Sequence, residues 1–396
     1  MNKKLVITSL TLLFTSAVSI CGQSRFELNA HEVAQQMGVG WNLGNTMEAN
    51  VPSLKAETSW QDTPTTPALI KFVKAQGFKS VRIPASWHCH LDKGTTNIND
   101  EWMARVQEIV DYCIHDSLYV VLNSHWDGGW LEDSFDNVSD ENVSAKSDTL
   151  QAIWTQIADR FKGYDEHLLF AGLNEPSHGY NNGKFTDRMM LALLQYEQVF
   201  IDAVRKTGGN NLKRILVIQG PSTNIDETCK PVYASQLPDD VEPNRLMVEV
   251  HYYDPWNFCG MEKDESWGEM AYYWGKDNHV NSSKRNAKWG EEDHLKKQFK
   301  SMKENFVDRG YPVILGEFSA NWRQLKGEQG ESQQAHDASI YQYFKDVTHE
   351  ALKNGLVPMV WDINHTDFPT MTVIDRKTLK VFCTPAMNGI RKGQEE

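Results

Sequence analysis

Two glutamates, Glu175 in "LLFAGLNEP" (168–176) and Glu317 in "YPVILGEFS" (311–319), each close an apolar run that reads as a buried strand. Two carboxyl groups facing each other across a cleft are the equipment for cleaving a glycosidic bond. One donates a proton to the leaving oxygen while the other meets the developing oxocarbenium carbon. Their neighbours separate the roles. Asn174 precedes Glu175 and Pro176 follows it, which pins the turn and leaves an amide to hold a sugar hydroxyl, so Glu175 is expected to be the acid/base. Glu317 follows Gly316, whose missing side chain permits close approach, and is expected to be the nucleophile. Arg82 and Tyr253 can aim hydrogen bonds at Glu317 and keep it ionised, and its negative charge is expected to raise the pKa of Glu175. A lone strand-end glutamate reads equally well as an ion pair at a helix start. Two of them, with Arg82, His125, Asn174, His251, Tyr253 and Trp361 at the ends of other apolar runs, do not.

The elements that must position these residues recur along the chain. The short apolar runs are "MGVGWNLGN" (37–45), "KSVRIPAS" (79–86), "LYVVLNSH" (118–125), "LLFAGLNEP", "RILVIQGPS" (214–222), "LMVEVHYY" (246–253), "YPVILGEFS" and "VPMVWDIN" (357–364). Between them lie stretches of helical period, among them "TPALIKFVKAQG" with Thr66 as N-cap and Pro67 in the first turn, "DEWMARVQEIVDYCIHDS", "KSDTLQAIWTQIADRFKG", "MLALLQYEQVFIDAVRKTG" and "ASIYQYFKDVTHEALKNG". Apolar strands alternating with amphipathic helices imply a parallel sheet covered on both faces, and eight such units predict a single (β/α)8 barrel occupying residues 22–396. In that architecture the site lies at the C-terminal ends of the strands, where the polar residues above, with Asn42, Asn45 and Gln219, should converge. The longest interruption, from Asp254 to about Lys297, carries Trp256, Trp267, Trp274 and Trp289. A loop of that length is usually functional, and on this face it would wall a cleft; a small aromatic core of its own is the other reading.

Composition narrows the partners. A net charge of −13 argues against nucleic acid and anionic membrane surfaces and suits a neutral substrate. The 13 Trp and 13 Tyr supply flat faces of the kind that stack on sugar rings, although core packing explains any single one. Cys89, Cys113, Cys229, Cys259 and Cys383 form no CxxC pair, which indicates neither a zinc site nor a disulfide framework. "WHCHL" (87–91) offers His88 and His90 as a metal pair, but it falls beyond a strand end with no acidic partner apparent, so sugar contact or loop packing is preferred. Asp127, Trp130 and Asn45 fit distal sugar contacts or loop bracing, and "TVIDRKTLKVF" reads as a hairpin without chemistry. At the start, Lys3 and Lys4 precede an apolar Leu5–Ile20 segment that reads as a secretory signal over residues 1–21, so export is expected, as a secreted, periplasmic or cell-surface protein. Cys21 stands where a lipid anchor would attach, but Ile20 occupies a place where small residues are expected; cleavage and lipidation both fit.

"GVGWNLGNT", "VRIPAS", "NSHWDGGW", "GLNEP", "HYYDP", "LGEF" and "VWDIN", in this order, resemble glycoside hydrolase family five, and the first motif resembles its subfamily four of endo-β-glucanases and xyloglucanases. The resemblance runs from about Gly38 to Ile390. It implies a retaining double displacement on a β-1,4-glucan, with Glu175 as acid/base and Glu317 as nucleophile. Arg82, His125, Asn174, His251 and Tyr253 would line the subsite around the scissile bond, with Trp361 as its aromatic floor. One departure is visible: the family usually carries two adjacent histidines on strand three, whereas here Trp126 follows His125. No cofactor and no metal are expected, and a monomer is. Xyloglucan, mixed-linkage glucan or mannan specificity would keep the mechanism. A non-catalytic glycan-binding protein on the same barrel would be expected to have lost one of the carboxyl groups, and both are present.

Overall fold

The structure, a computed structural model, describes residues 26–177, 184–327 and 330–396. The expected leader over residues 1–21, with Cys21, lies outside the described residues. Each of the eight apolar runs forms a strand: β1 Gly40–Asn42, β2 Ser80–Ile83, β3 Tyr119–Asn123, β4 Leu168–Ala171, β5 Leu216–Gln219, β6 Leu246–Tyr252, β7 Val313–Phe318 and β8 Leu356–Val360. All are parallel, they pair in chain order, and β8 returns to β1 to close the barrel. Every strand residue is buried, which explains why these segments read as continuous apolar runs without alternation.

The helices form the outer layer. The Pro67–Ala75 helix begins as its sequence predicts, with Thr66 Oγ1 accepting from the Leu69 N–H at 3.2 Å. The Asp140–Phe161 helix starts earlier than the apolar period suggested, because Ser139 caps it and Asp140 and Glu141 suit the positive end of its dipole. Two further outer helices are Glu292–Asn305 and Thr384–Glu395. The second lies against Gln333–Lys353, where Cβ atoms on Gly389 and Gly393 would stand 2.4 Å from Tyr341 O and 2.5 Å from Lys345 O. Only glycine allows that approach.

The barrel interior is apolar at one end and polar at the other. Val121, Leu169, Val217, Met247, Ile314 and Met359 fill the N-terminal half, and the Ala30–Met37 helix closes it with Ala30, Val33 and Met37. Among the described residues, that leaves the C-terminal rim as the polar end open to a ligand. The interruption after β6 runs from Asp254 to Glu291, shorter than expected because the following helix already begins at Glu292. Both readings of that segment hold in part: Trp274 is buried, while Trp256, Trp267 and Trp289 are exposed. Ile374–Asp375 (β9) and Lys380–Val381 (β10) make the anticipated antiparallel hairpin. Its Arg376 donates to Gly44 O at 2.8 Å and Asp362 O at 2.6 Å, tying the loops after β1 and β8 together. The five described cysteines are free thiols, and no described helix is long and apolar enough to cross a membrane.

Candidate active site

β2 delivers Arg82 to the barrel axis, where it is fully buried. A buried guanidinium is tolerated only when its charge is answered, and here two carboxylates and two amides surround it. Nη1 donates to Asn42 Oδ1 at 3.0 Å and Glu317 Oε1 at 2.8 Å, Nη2 donates to Asn174 Oδ1 at 2.7 Å, and Nε pairs with Glu249 Oε1 at 2.8 Å. Asn42 is fixed in turn by donating to Gly316 O at 2.8 Å and Met359 O at 3.3 Å. Asn174 thus commits its carbonyl oxygen to Arg82 and keeps its amide nitrogen to donate.

Along β6, Glu249 and His251 are two residues apart and share a face. A bulge between Val250 and His251 shifts the register, so that His251 stands opposite Glu317 on β7. Bulges of this kind re-aim side chains beside sites. His251 Nδ1 lies 2.7 Å from Glu175 Oε1 and 3.6 Å from Glu317 Oε2, and Nε2 lies 3.3 Å from Glu249 Oε1. Burial pulls the imidazole down, but Glu317, Glu175 and Glu249 outweigh it and hold the ring up at about 10. His251 is thus an imidazolium that donates from both nitrogens. Burial would raise Glu249, yet Arg82 and His251 bring it below the usual carboxylate range. Burial also pushes the Tyr253 phenol well up, with Glu317 adding to it, so its neutral hydroxyl donates to Glu317 Oε2 at 2.9 Å.

The two glutamates differ in exposure. The Glu317 side chain is 7 % exposed and that of Glu175 44 %. Glu317 is raised, by burial first, with His251 and Arg82 opposing and the charge of Glu175 adding to it. Desolvation, invisible in the sequence, is the leading cause there. Glu175 stands beyond the end of β4 on a turn held from outside: Glu132 Oε1 accepts from the Asn174 N–H at 2.9 Å and the Glu175 N–H at 2.7 Å. One ligand-type atom from each of Glu175, His251 and Glu317 lies within 4.8 Å of the others. Three such groups are of the kind that can grip a cation, but among the described residues each is already engaged, His251 with Glu175 and Glu249, and Glu317 with Arg82 and Tyr253. Beside Glu175 a cavity of about 180 Å³ extends past His251, Tyr253 and Asn224 to Asp254.

The remaining expected residues divide. His125 is stacked parallel to Trp361 with ring centres 5.9 Å apart, at the ends of β3 and β8. Asn123 Oδ1 accepts from the Ala85 N–H at 3.1 Å, which turns its amide nitrogen toward His125 Nδ1 at 3.1 Å and leaves the ring proton on Nε2. Burial, then Arg82 and His251, keep His125 neutral. Trp361 is pressed against Gly44, where a Cβ would meet its ring at 3.1 Å. Asn45 and Trp130, among the described residues, stand outside the bonded cluster around Arg82. Asn45 adopts a left-handed backbone at φ +56°. Trp130 stacks on His88 at 4.7 Å with Lys146 Nζ 5.5 Å from its ring centre. Asp127 is a brace, accepting from the Trp87 N–H at 2.6 Å, the Cys89 N–H at 3.0 Å and the His88 N–H. His90 stacks on buried Trp102 at 3.5 Å, so the His88–His90 pair serves loop packing. Trp126, in the place of the family's second histidine, is exposed. Sequence reasoning missed Glu249, Glu132, Asn123 and the role of Asn42; only Glu249, a charge two residues before His251 within an apolar strand, left a readable signal.

A closed parallel barrel whose C-terminal rim brings one buried and one accessible carboxyl group together, with an imidazolium between them, has the build of a glycoside hydrolase. The chain belongs to the cellulase family, glycosyl hydrolase family 5, which it matches over residues 44–367. It is 37 % identical to endoglucanase A of Paenibacillus barcinonensis over 417 aligned residues, covering 99 % of each protein. Among solved structures it is similar to a xyloglucan-specific β-1,4-glucanase of this family from a ruminal metagenomic library in complex with XXLG. There the TM-score is 0.86 and the identity 44 %, over 93 % of this chain and 96 % of that one. It is also similar to a broad-specificity endoglucanase from Ruminococcus champanellensis with bound cellotriose, with TM-score 0.77 and 29 % identity over 93 % of this chain and 99 % of that one.

Proposed function

We propose that the protein is a retaining endo-β-1,4-glucanase in which Glu317 is the nucleophile and Glu175 the acid/base. The observation that carries this reading is the separation of the two carboxyl groups, at most 4.8 Å between the facing atoms. Retaining hydrolases hold them about 5–5.5 Å apart, whereas inverting ones leave about 6.5–9.5 Å for an intervening water. Arg82 and the Tyr253 hydroxyl orient the two Glu317 oxygens for attack on the anomeric carbon, which forms a glycosyl ester as the bond to the leaving oxygen breaks. Glu175 supplies the proton to that oxygen and then, as base, takes one from the water that hydrolyses the ester. His251 follows the charge as it moves between the carboxyl groups. The floor under the reacting sugar is Trp361, with His125 and the Asn174 amide nitrogen placed for hydroxyl groups, while Asn45 and Trp130 are assigned to more distant positions.

The family relatives support a β-1,4-glucan main chain, and the 44 % identity to a xyloglucan-specific enzyme favours xyloglucan among the candidate polymers. The basic residues and apolar segment at the N-terminus support export. Glu317→Ala should remove turnover of every substrate. Glu175→Ala should lower polymer hydrolysis by about 10²–10⁴-fold while sparing aryl glycosides whose leaving group needs no proton. Equal loss in both variants on the activated substrate would contradict the assignment, and reducing-sugar release from pure xyloglucan, mixed-linkage glucan, cellulose and mannan would fix the polymer.

A further inference from the structure

Gln219, the last residue of β5, is fully buried. The strand register sets it beside Glu249 on β6, and β4 pairs with β5 through Ala171 and Val217, so the chain just past β4 runs alongside it. Its one amide makes two bonds. Gln219 Oε1 accepts from the Leu173 N–H at 2.8 Å, and Nε2 donates to Glu249 Oε2 at 2.6 Å. The direction of the amide is not free: a backbone N–H can only donate, so the oxygen must face Leu173 and the NH2 group must face Glu249. Behind it, the buried Tyr233 hydroxyl reaches Gln219 O at 3.1 Å and Glu197 Oε1 at 2.9 Å, which ties down the backbone.

Each bond of the amide leads to the reacting groups. Leu173 opens the turn that carries Glu175. Its N–H and those of Asn174 and Glu175 are answered by side chains from outside the turn, Gln219 for the first and Glu132 for the other two. On the other side, Glu249 Oε1 is claimed by Arg82 Nε at 2.8 Å and His251 Nε2 at 3.3 Å, which leaves Oε2 as the place for a proton. The NH2 group of Gln219 bonds to the carboxylate there and would clash with that proton, so Glu249 stays ionised behind the imidazolium. Burial opposes the charge, Arg82 and then His251 hold it, and Gln219 adds to them. Glu175 and Glu317 face the same ring from its other edge at 2.7 and 3.6 Å.

We propose that Gln219 is a positioning residue for glycoside cleavage, one amide that holds the Glu175 turn with its oxygen and, with its NH2 group, the Glu249 carboxylate that backs His251, a role that rests on the endoglucanase reading above. Gln219→Glu separates this role from packing. Protonated, the introduced carboxyl group can still accept from Leu173 and donate to Glu249; ionised, it sets one buried carboxylate against another. Relative to wild type at the same pH, kcat/KM on an aryl β-cellobioside should lie within about threefold at about pH 5 and fall at least about tenfold by about pH 8, as the pair sheds its shared proton. Gln219→Met keeps the length and has neither donor nor acceptor. It should be down about tenfold at both pH values, the size of one buried group left unanswered, and its His251 ring should titrate lower by NMR. Thermal melting at both pH values checks that folded protein is read, and if Gln219→Glu does not fold at the higher pH the Gln219→Met ring titration decides. A ratio of Gln219→Glu to wild type that does not change with pH, or a His251 titration unmoved in Gln219→Met, overturns the positioning role. A folded wild-type protein that cleaves neither the aryl cellobioside nor soluble β-glucan overturns the endoglucanase reading instead.

Discussion

Replacing Glu249 with Gln keeps its shape and removes the charge that helps hold His251 protonated. The two groups lie 3.3 Å apart. At an effective dielectric of about 20, two unit charges at that distance attract by about 5 kcal/mol. That is a ceiling of about 3–4 pH units on the imidazole. Gln retains an acceptor, and Glu175 and Glu317 still face the ring, so about half of the ceiling is expected, bringing His251 from about 10 to about 8. The assay is an NMR titration of the His251 ring beside the pH dependence of kcat/KM on an aryl cellobioside, whose basic limb should move down with it. Stability follows the same linkage. The folded protein holds this proton up to about pH 10 and a free imidazole only to its ordinary 6.5, so the stabilisation is complete below 6.5 and lost as pH rises toward 10. In the variant the loss should be complete nearer 8. If His251 titrates where it does in the wild type while stability drops equally at every pH, Glu249 only packs and the electrostatic reasoning is refuted.

Three further outcomes follow from the geometry. A Cβ on Gly316 would lie 1.9 Å from Glu249 Oε1, so Gly316→Ala should lose about 1–3 kcal/mol in denaturant melts together with most activity. Gly163→Ala, with nothing within 4 Å, should lose neither. Glu132→Ala leaves the Asn174 and Glu175 N–H groups unanswered and frees the turn that aims the acid. Polymer kcat should fall about 10²-fold and aryl glycoside kcat far less, read by steady-state kinetics. Prolonged dialysis against a chelator should leave activity intact, because both His251 nitrogens are committed to carboxylates; lost activity restored by a divalent cation would contradict that.

The barrel was legible because burial on both faces leaves each strand an unbroken apolar run, and the rim because those runs end in polar residues. The Glu292–Asn305 helix starts before the expected Lys297, because its first turn is charged and only Leu295, Gln298, Phe299 and Met302 are buried. Glu132 was unreadable: it acts through backbone N–H groups 42 and 43 residues away, and no sequence period records such a contact. The raised carboxyl of Glu317 was unreadable for the same reason. Sequence supplies the charges, but the depth of Glu317 below the rim, against the half-open position of Glu175, emerges only when β6 and β7 are set in register across the bulge. His88 and His90 looked like a metal pair by spacing, yet a short 3-10 turn sends them to different indoles.

The most direct test of the mechanism is to trap its covalent intermediate. Incubation with a 2-deoxy-2-fluoro β-cellobioside bearing a good leaving group, followed by peptide mass analysis, should find one fluorocellobiosyl unit per chain, esterified to Glu317 and released by water once excess reagent is removed. A label on Glu175, or no label from a protein that still cleaves the polymer, would contradict the account.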